Sequence, residues 1–232
     1  MALLEADCIG KAFGSRRVLT SASLRAPAGS VTALIGRNGT GKTTLLSVAA
    51  GWRSADTGIV RFDGVSHLRP HLARLSTQGL FYLPDREILS PGITLRRQLE
   101  AVGRRFGSLG SIDAVAAELG ISGCLDALPP RFSGGETRRS ELAVACVRRP
   151  RCLLADEPYR GISPLDAERL TQVFRGLAAT GCAVVLSGHE IETLFSAADR
   201  VVWCTDGTTC EYASPSAARE DWRFQQGYLG WQ

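Results

Sequence analysis

Lysine is almost missing from this sequence of 232 residues, because Lys11 and Lys42 are the only two and arginine supplies the rest of the 27 basic residues. The formal net charge is only +4, and no segment shows the clustered basic face of a nucleic-acid-binding protein. We therefore predict no nucleic-acid partner. The arginine bias runs along the whole chain and carries little functional information, whereas Lys42 lies inside a glycine-rich loop and is a candidate functional residue.

Long apolar runs and paired cysteines are also missing. No apolar run approaches the roughly 20 residues that cross a bilayer, and the first residues lack the charged and apolar regions of a signal peptide. The seven cysteines form no C-x-x-C pair, which disfavours zinc and redox motifs. Several, such as Cys152 and Cys182, lie in or beside apolar runs, and we interpret them as buried, reduced thiols. We expect a cytoplasmic protein, with another subunit supplying any membrane segment.

Short apolar runs alternate with helical patterns, which is typical of a largely parallel sheet with crossover helices. The runs are rich in Val, Ile and Leu, as buried parallel strands are. The sequence therefore predicts an α/β fold. The candidate strands are Val31–Ile35, Ile59–Phe62, Leu80–Leu83, Cys152–Ala155, Ala183–Ser187 and Val201–Cys204.

The middle of the chain contains no strong strand pattern. Leu95–Arg105 and Ile112–Leu119 have helical patterns instead, with Ser111 as an N-cap of the second and Gly120 as its C-terminal stop. A helical segment over residues 84–138 is thus expected to interrupt a core made of residues 1–83 and 139–232.

Residues 36–43 read GRNGTGKT and fit the P-loop pattern G-x-x-x-x-G-K-[ST]. The strand Val31–Ile35 leads into this loop, and the helical run Thr44–Ala50 follows it. Glycines let backbone N–H groups approach phosphate oxygens, and the helix N-terminus adds its positive end. Lys42 is suited to neutralise the β- and γ-phosphates, and the Thr43 hydroxyl is suited to bind Mg²⁺. The sequence predicts a nucleotide site of the P-loop NTPase type.

Two carboxylates, Asp156 and Glu157, follow the strand Cys152–Ala155 at the sheet edge where α/β proteins bind ligands. Asp156 suits a role at Mg²⁺, directly or through water, and Glu157 suits the base that polarises the attacking water. Taken alone, the pair could simply end a strand in a polar loop. Its combination with the P-loop makes that alternative the weaker one.

A second phosphate-binding segment, Ser133-Gly134-Gly135-Glu136, precedes a helical pattern that extends to about Val147. Its hydroxyl, its unobstructed N–H groups and the helix dipole suit a phosphate. One nucleotide does not need two such segments in one subunit, so we expect this one to serve the ATP of a partner. Taken alone, it would more simply be an N-cap with flexible glycines.

The P-loop, the S-G-G-E segment, the D-E-P run and the following His189 together resemble the motif set of ABC ATPases, over essentially the whole chain. The resemblance implies a RecA-like core with a helical subdomain, and hydrolysis of MgATP at the interface of a head-to-tail dimer. It assigns catalysis to Glu157, His189 and Lys42, metal contacts to Thr43, Asp156 and Asp85, and nucleotide contacts to Phe13, Gly36, Asn38, Gly39, Gly41, Lys42, Thr43, Thr44, Ser133, Gly134 and Gly135.

Phe13 and the three histidines differ in their sequence context. Phe13 resembles the residue that stacks on adenine, and the alternative is a core phenylalanine of a first strand. His189 follows the strand Ala183–Ser187 and resembles the switch histidine that contacts the γ-phosphate. His67 and His71 have no such context, and we expect both at the surface.

Two positions depart from the family pattern. Asp85 stands where the family normally has a glutamine, although some relatives carry a glutamate there. Its charge would repel the triphosphate unless Mg²⁺, Arg37 or Arg86 offsets it. Ser163 stands at the position of an aspartate that crosses the dimer interface. Ser163 suits an N-cap and Pro164 suits the first helical position, so the local structure is expected to persist.

The resemblance leaves two functions open. The first is the energy-supplying subunit of a transporter, at the inner face of the plasma membrane and bound to separate transmembrane subunits. The run Tyr228-Leu229-Gly230 resembles the ending of cassettes from branched-chain amino-acid importers and the lipopolysaccharide exporter. The second is a soluble cassette ATPase with no transport role, like the iron–sulfur assembly ATPase.

Overall fold

The computed structural model describes residues 2–230, in which ten strands form one curled sheet with helices packed on both faces. The strands are β1 (Ala2–Phe13), β2 (Arg16–Pro27), β3 (Val31–Ile35), β4 (Thr57–Phe62), β5 (Val65–His67), β6 (Leu80–Leu83), β7 (Cys152–Ala155), β8 (Ala183–Gly188), β9 (Arg200–Thr205) and β10 (Thr208–Tyr212). The helices are α1 (Lys42–Ala49), α2 (Leu72–Thr77), α3 (Leu95–Phe106), α4 (Ile112–Glu118), α5 (Gly134–Arg148), α6 (Pro164–Ala179), α7 (Ile191–Ala197), α8 (Pro215–Glu220) and α9 (Trp222–Phe224), and a π-helical turn spans Gln225–Leu229.

The strands follow the order β5-β4-β1-β2-β10-β9-β3-β8-β7-β6 across the sheet. Strands β3, β6, β7, β8 and β9 pair in parallel, so their carboxyl ends meet at one edge. The β1–β2 hairpin, β4 and β5 form the antiparallel part. The α/β prediction is confirmed, and all six candidate strands are present. The sequence did not reveal β1, β2, β5 or β10.

The core lies on both faces of the sheet because successive strand residues point in opposite directions. In β7, Leu153 packs with the helices α3 to α7, whereas Leu154 packs with α1 and the β1–β2 hairpin. Both side chains are fully buried. This two-sided burial fixes β7 and its neighbours, and with them the loops that leave their carboxyl ends.

Helices α3, α4 and α5 lie between β6 and β7, and Leu95 and Leu99 of α3 join the core that contains α5. The two predicted helices are confirmed. Ser111 takes the N-cap position of α4 as predicted, but its side chain makes no capping bond, because its hydroxyl donates to the Ser108 carbonyl oxygen and accepts from no N–H group of α4. Gly120 has a φ of 63° immediately after α4, as a helix stop requires. The division at residues 84 and 138 stays a prediction.

His67 corrects another expectation. It is buried, because β5 pairs with β4 and sets His67 opposite Val60, whereas His71 is exposed as predicted. The thiols of Cys152 and Cys182 are buried and free. Among the helices of residues 2–230, none combines the length and the apolar character that crossing a bilayer requires.

Candidate functional site

The P-loop follows β3 without a break and turns into α1 at Lys42. Gly41 has a φ of 107°, and a Cβ there would approach Leu19 Cδ2 to 2.6 Å. A Cβ on Gly36 would collide with the carbonyl oxygen of Cys204. Glycine is therefore required at both positions for the loop to close against β2 and β9. The predicted helix after the loop is confirmed and begins two residues earlier than Thr44.

Lys42 lies folded into the P-loop, and only 5% of its side chain is exposed. Its Nζ donates to the carbonyl oxygens of Gly36 at 2.8 Å and Arg37 at 3.2 Å. The same ammonium lies 3.5 Å from Glu157 Oε1. A nearly buried charge with these partners is held at the centre of the loop, where a phosphate group would meet it.

Asp156 is buried at the end of β7 and accepts three hydrogen bonds. Thr43 Oγ1 donates to Oδ1 at 3.2 Å, Ser187 also donates to Oδ1, and Tyr82 donates to Oδ2 at 3.4 Å. Burial raises the pKa of the Asp156 carboxyl above its ordinary value, against the opposing effect of the bonds from Ser187 and Thr43. A hydroxyl beside a carboxylate is the oxygen ligand set that Mg²⁺ prefers.

Glu157 adopts a φ of 48°, a left-handed conformation that is unusual for a residue with a side chain. Its N–H donates to Ser187 Oγ at 3.0 Å, which holds this backbone in place. His189 Nδ1 lies 3.1 Å from Glu157 Oε2. Tyr228 donates to the His189 carbonyl oxygen at 3.0 Å, and burial raises the pKa of its hydroxyl to about 12. No pattern in the sequence predicts this contact of Tyr228 with the site.

Lys42, Thr43, Glu157 and His189 line one cavity of about 770 Å³ at the carboxyl edge of the parallel strands, and Asp156 lies behind Thr43, which donates to it. Phe13 lies outside the lining and is 42% exposed, with Lys11 and Arg53 near its ring at 5.7 and 5.4 Å. The core alternative for Phe13 is therefore wrong, and its contact with adenine stays a prediction. The cavity is lined by Arg16, Val18, Asn38, Gly39, Gly41, Lys42, Thr43, Thr44, Asp85, Glu157, Arg160 and His189.

The S-G-G-E segment, the signature segment, starts helix α5, the signature helix, with a capping box. The Glu136 N–H donates to Ser133 Oγ at 3.3 Å, and the Glu136 carboxylate accepts from the Ser133 N–H at 2.8 Å. Hydrogen bonds from the Ser133 backbone and hydroxyl hold the pKa of Glu136 below its usual value. Ser133, Gly134 and Gly135 lie outside the cavity that holds Lys42. Their contact with a partner's nucleotide stays a prediction.

Asp85 has partners that the sequence did not indicate. Arg138 Nη2 donates to its Oδ1 at 3.0 Å, and Arg160 donates to its Oδ2. Arg86 does not take that role, because its guanidinium lies over the Trp52 ring at 4.7 Å, and among residues 2–230 the ion pairs of Asp85 are with Arg138 and Arg160 and not with Arg37. The partners come from α5 and from the loop after β7. A local sequence pattern cannot predict contacts between segments so far apart in the chain.

Ser163 caps helix α6 as expected. Its Oγ accepts from the Asp166 N–H at 3.2 Å, and Pro164 takes the first helical position. The Asp166 carboxylate turns toward α5, where Oδ1 lies 3.1 Å from Arg139 Nε. Asp166 thus contacts the signature helix within its own subunit.

Sequence comparison identifies relatives over the full chain. The ABC transporter family profile matches residues 19–160. The lipopolysaccharide export system ATP-binding protein LptB of Haemophilus influenzae is 28% identical over 240 residues, which cover 100% of this chain and 99% of that protein. LptB of Escherichia coli K12 is 29% identical over 238 residues, with 99% and 98% covered. The ribose import ATP-binding protein RbsA of Pseudomonas putida is 32% identical over 222 residues, which cover 92% of this chain and 43% of RbsA.

Solved structures show the same fold. An ATP-binding cassette of an ABC transporter in its ADP conformation superposes with a TM-score of 0.84 and 22% identity, and 100% of both chains is covered. A nucleotide-free cassette superposes with a TM-score of 0.81 and 21% identity, with 99% of this chain and 96% of that chain covered. Since the family profile spans more than half of the sequence, this chain belongs to the ABC transporter family, as an ATP-binding cassette with the P-loop NTPase fold.

Proposed function

We propose that this chain binds and hydrolyses MgATP as half of a head-to-tail dimer, and that the reaction energises transport by separate transmembrane subunits. The observation that carries the proposal is the convergence of Lys42, Thr43, Asp156, Glu157 and His189 at one sheet edge. Each of these residue types suits one part of phosphoryl transfer to water. The core would comprise residues 1–83 and 139–232, and the helical subdomain residues 84–138.

The chain's own residues fit ATP and Mg²⁺. The P-loop amides and Lys42 would bind the β- and γ-phosphates, and Phe13 would stack on the base. Thr43 and Asp156 would hold Mg²⁺, which supplies neutralising charge on the phosphate oxygens. Glu157 would accept a proton from the attacking water, while His189, 3.1 Å away, orients that carboxylate and contacts the terminal phosphate.

The position of the signature segment supports a dimer. Ser133, Gly134 and Gly135 present a capped helix N-terminus outside the cavity of their own subunit. A helix N-terminus of this kind suits a phosphate. We infer that a second cassette brings its Lys42 cavity against this segment, so that ATP binds between the subunits.

The transport role is supported by the named relatives. Full-length matches include lipopolysaccharide export ATP-binding proteins, and the ribose import ATP-binding protein matches over most of this chain. We therefore favour separate membrane subunits and a position at the inner face of the plasma membrane over the soluble iron–sulfur assembly alternative. The proposal concerns energy supply, because the relatives include both export and import systems.

Lysine replacement tests the nucleotide site directly, because the chain has one lysine in the P-loop, Lys42, and one outside it, Lys11. Lys42→Ala should abolish Mg²⁺-dependent ATP hydrolysis. Lys11→Ala should reduce it only slightly, since Lys11 pairs with Asp56 at 2.7 Å outside the cavity and approaches the proposed site only at the Phe13 ring, 5.7 Å away. Phosphate release would be measured with Mg²⁺ and with a chelator. Wild-type protein that neither binds nor hydrolyses MgATP would overturn the proposal.

The transport role needs a second experiment. The chain would be co-expressed with membrane proteins encoded beside it that contain several apolar segments of roughly 20 residues. We expect a complex to purify in detergent, with ATP turnover that changes on reconstitution into vesicles. ATP hydrolysis without any membrane partner from this neighbourhood would favour the soluble alternative.

A further inference from the structure

Asp85 and Arg160 belong to neighbouring loops at the carboxyl edge of the sheet. Asp85 follows β6, and Arg160 follows β7, which pairs in parallel with β6. The Asp156 N–H also donates to the Leu83 carbonyl oxygen at 2.8 Å, which extends this pairing into the loops. The two side chains meet because their strands are adjacent, and both line the cavity that contains Lys42.

Both carboxylate oxygens of Asp85 are occupied by guanidinium groups, Oδ1 by Arg138 and Oδ2 by Arg160. Arg138 also pairs with Glu141 at 2.9 Å, so this one arginine is shared between two carboxyl groups. Arg160 brings the cluster of two arginines and two carboxyl groups to formal neutrality. An anion that enters the cavity therefore does not meet an unbalanced carboxylate at Asp85.

Arg160 is the most exposed member of this cluster. Its side chain is 63% exposed, compared with 27% for Asp85 and 12% for Arg138. Only Nη1 of Arg160 donates a side-chain hydrogen bond within residues 2–230, although a guanidinium group carries five N–H donors. Arg160 can thus stay bonded to Asp85 and still donate to a phosphate oxygen.

The backbone places Arg160 beside the hydrolytic groups. Its N–H donates to the Glu157 carbonyl oxygen at 3.2 Å, and its side chain shares a smaller recess with Glu157 and His189. These are the residues that the proposed function assigns to the terminal phosphate and its attacking water.

We propose that Arg160 binds the terminal phosphate of ATP and that Asp85 is the positioning residue that holds its guanidinium toward the cavity. This inference rests on the proposed function. It gives Asp85 a different task from the magnesium contact expected from the sequence, because both of its oxygens already accept from arginines. A long, exposed arginine has many rotamers, and one fixed bond reduces the freedom that it would lose on binding a phosphate.

The test compares the affinities for ATP and ADP by calorimetry with Mg²⁺ present, in protein that carries Glu157→Gln, so that ATP is bound without being hydrolysed. Arg160→Ala should weaken ATP binding roughly tenfold, as loss of a charge-assisted hydrogen bond does, with little change for ADP. Arg160→Lys should restore part of the preference. Asp85→Asn should weaken ATP binding in the same direction, and the double variant should bind no more weakly than Arg160→Ala.

Arg86→Ala is the matched control, since Arg86 neighbours Asp85 but stacks on Trp52, and it should leave the preference for ATP unchanged. Equal affinity changes for ATP and ADP in Arg160→Ala, or none, would overturn the assignment to the terminal phosphate. Tighter ATP binding by Asp85→Asn would show that Asp85 acts by repulsion and would overturn its positioning role. If the protein with Arg160 and Asp85 intact binds no MgATP, the proposed function fails as well. If it binds MgATP and Arg160→Ala leaves the affinities for ATP and ADP unchanged, only this inference fails.

Discussion

The carboxyl edge of the parallel strands and the signature helix α5 hold their functional residues by different means. At the edge, Asp156 is buried, and it is bonded to the buried Ser187, the half-buried Tyr82 and the cavity-lining Thr43. At α5, the two consecutive arginines, Arg138 and Arg139, hold the helix to Asp85 in the loop after β6 and to Asp166 in the first turn of α6. One region is fixed by packing and the other by ion pairs.

The difference lies in how each region can respond to a ligand. Buried hydrogen bonds in a packed core resist displacement, because each broken bond leaves a desolvated polar group. The ion pairs of α5 join arginines to carboxylates that are still partly exposed, 27% for Asp85 and 17% for Asp166, so water solvates part of the separated charge and lowers the cost of separating these pairs. The strand edge is therefore suited to hold reacting groups, and the attachment of α5 is suited to adjust when a second subunit or a membrane partner binds.

The largest effect on ATP turnover is expected at the carboxyl edge of the parallel strands. Glu157→Gln keeps the shape of the side chain but cannot accept the proton of the attacking water, so steady-state ATP turnover should fall by roughly 100-fold or more. ATP binding should persist, because Lys42 and the P-loop are unchanged. Phosphate release and equilibrium binding of ATP would be measured in parallel. Turnover equal to that of the wild type would remove Glu157 from the role of base.

The second prediction concerns the helix N-terminus. With MgATP, the Glu157→Gln variant should double its mass in light scattering, because ATP would be trapped between two subunits. Adding Ser133→Arg should prevent this, since a large cation would replace the hydroxyl at the start of α5. Ser122→Arg, at another exposed serine, is the control and should still dimerise. Dimerisation that survives Ser133→Arg would contradict the shared site.

The sequence predicted the carboxyl edge of the parallel strands better than the ion pairs that attach α5. The P-loop, β7 and the Ser163 cap depend on local chemistry such as glycine conformation, apolar runs and side-chain capping. By contrast, the partners of Asp85 come from α5 and the loop after β7, and their approach depends on tertiary packing. The burial of His67 and the reach of Tyr228 to His189 likewise depend on segments distant in sequence.

A smaller effect on ATP turnover is expected at Tyr228, which contacts the carboxyl edge of the parallel strands through His189. Tyr228→Phe removes the hydrogen bond to the His189 carbonyl oxygen and should lower kcat about fivefold, as loss of roughly 1 kcal/mol would, with KM little changed. Because its hydroxyl has a pKa near 12, the wild-type bond should persist to pH 9. Tyr212→Phe, whose hydroxyl bonds to Asp221 at 3.3 Å, is the control. If kcat fell equally in Tyr228→Phe and Tyr212→Phe, the loss would reflect a general packing effect and not the bond to His189.

The smallest predicted effect tests the ion pairs of α5 directly. Asp166 Oδ1 lies 3.1 Å from Arg139 Nε, and both side chains are mostly buried, at 17% and 12% exposed. Asp166→Asn removes the charge but keeps the shape, and it also removes a favourable carboxylate from the first turn of α6. We expect the free energy of unfolding in urea to fall by about 1 kcal/mol. Asp126→Asn is the control and should leave the free energy of unfolding almost unchanged, because the Asp126 side chain, which pairs with Arg96, is 79% exposed. If Asp166→Asn cost 3 kcal/mol or more, as a fully buried pair does when one partner is removed, α5 would be as firmly fixed as the strand edge, and the contrast between the two regions would fail.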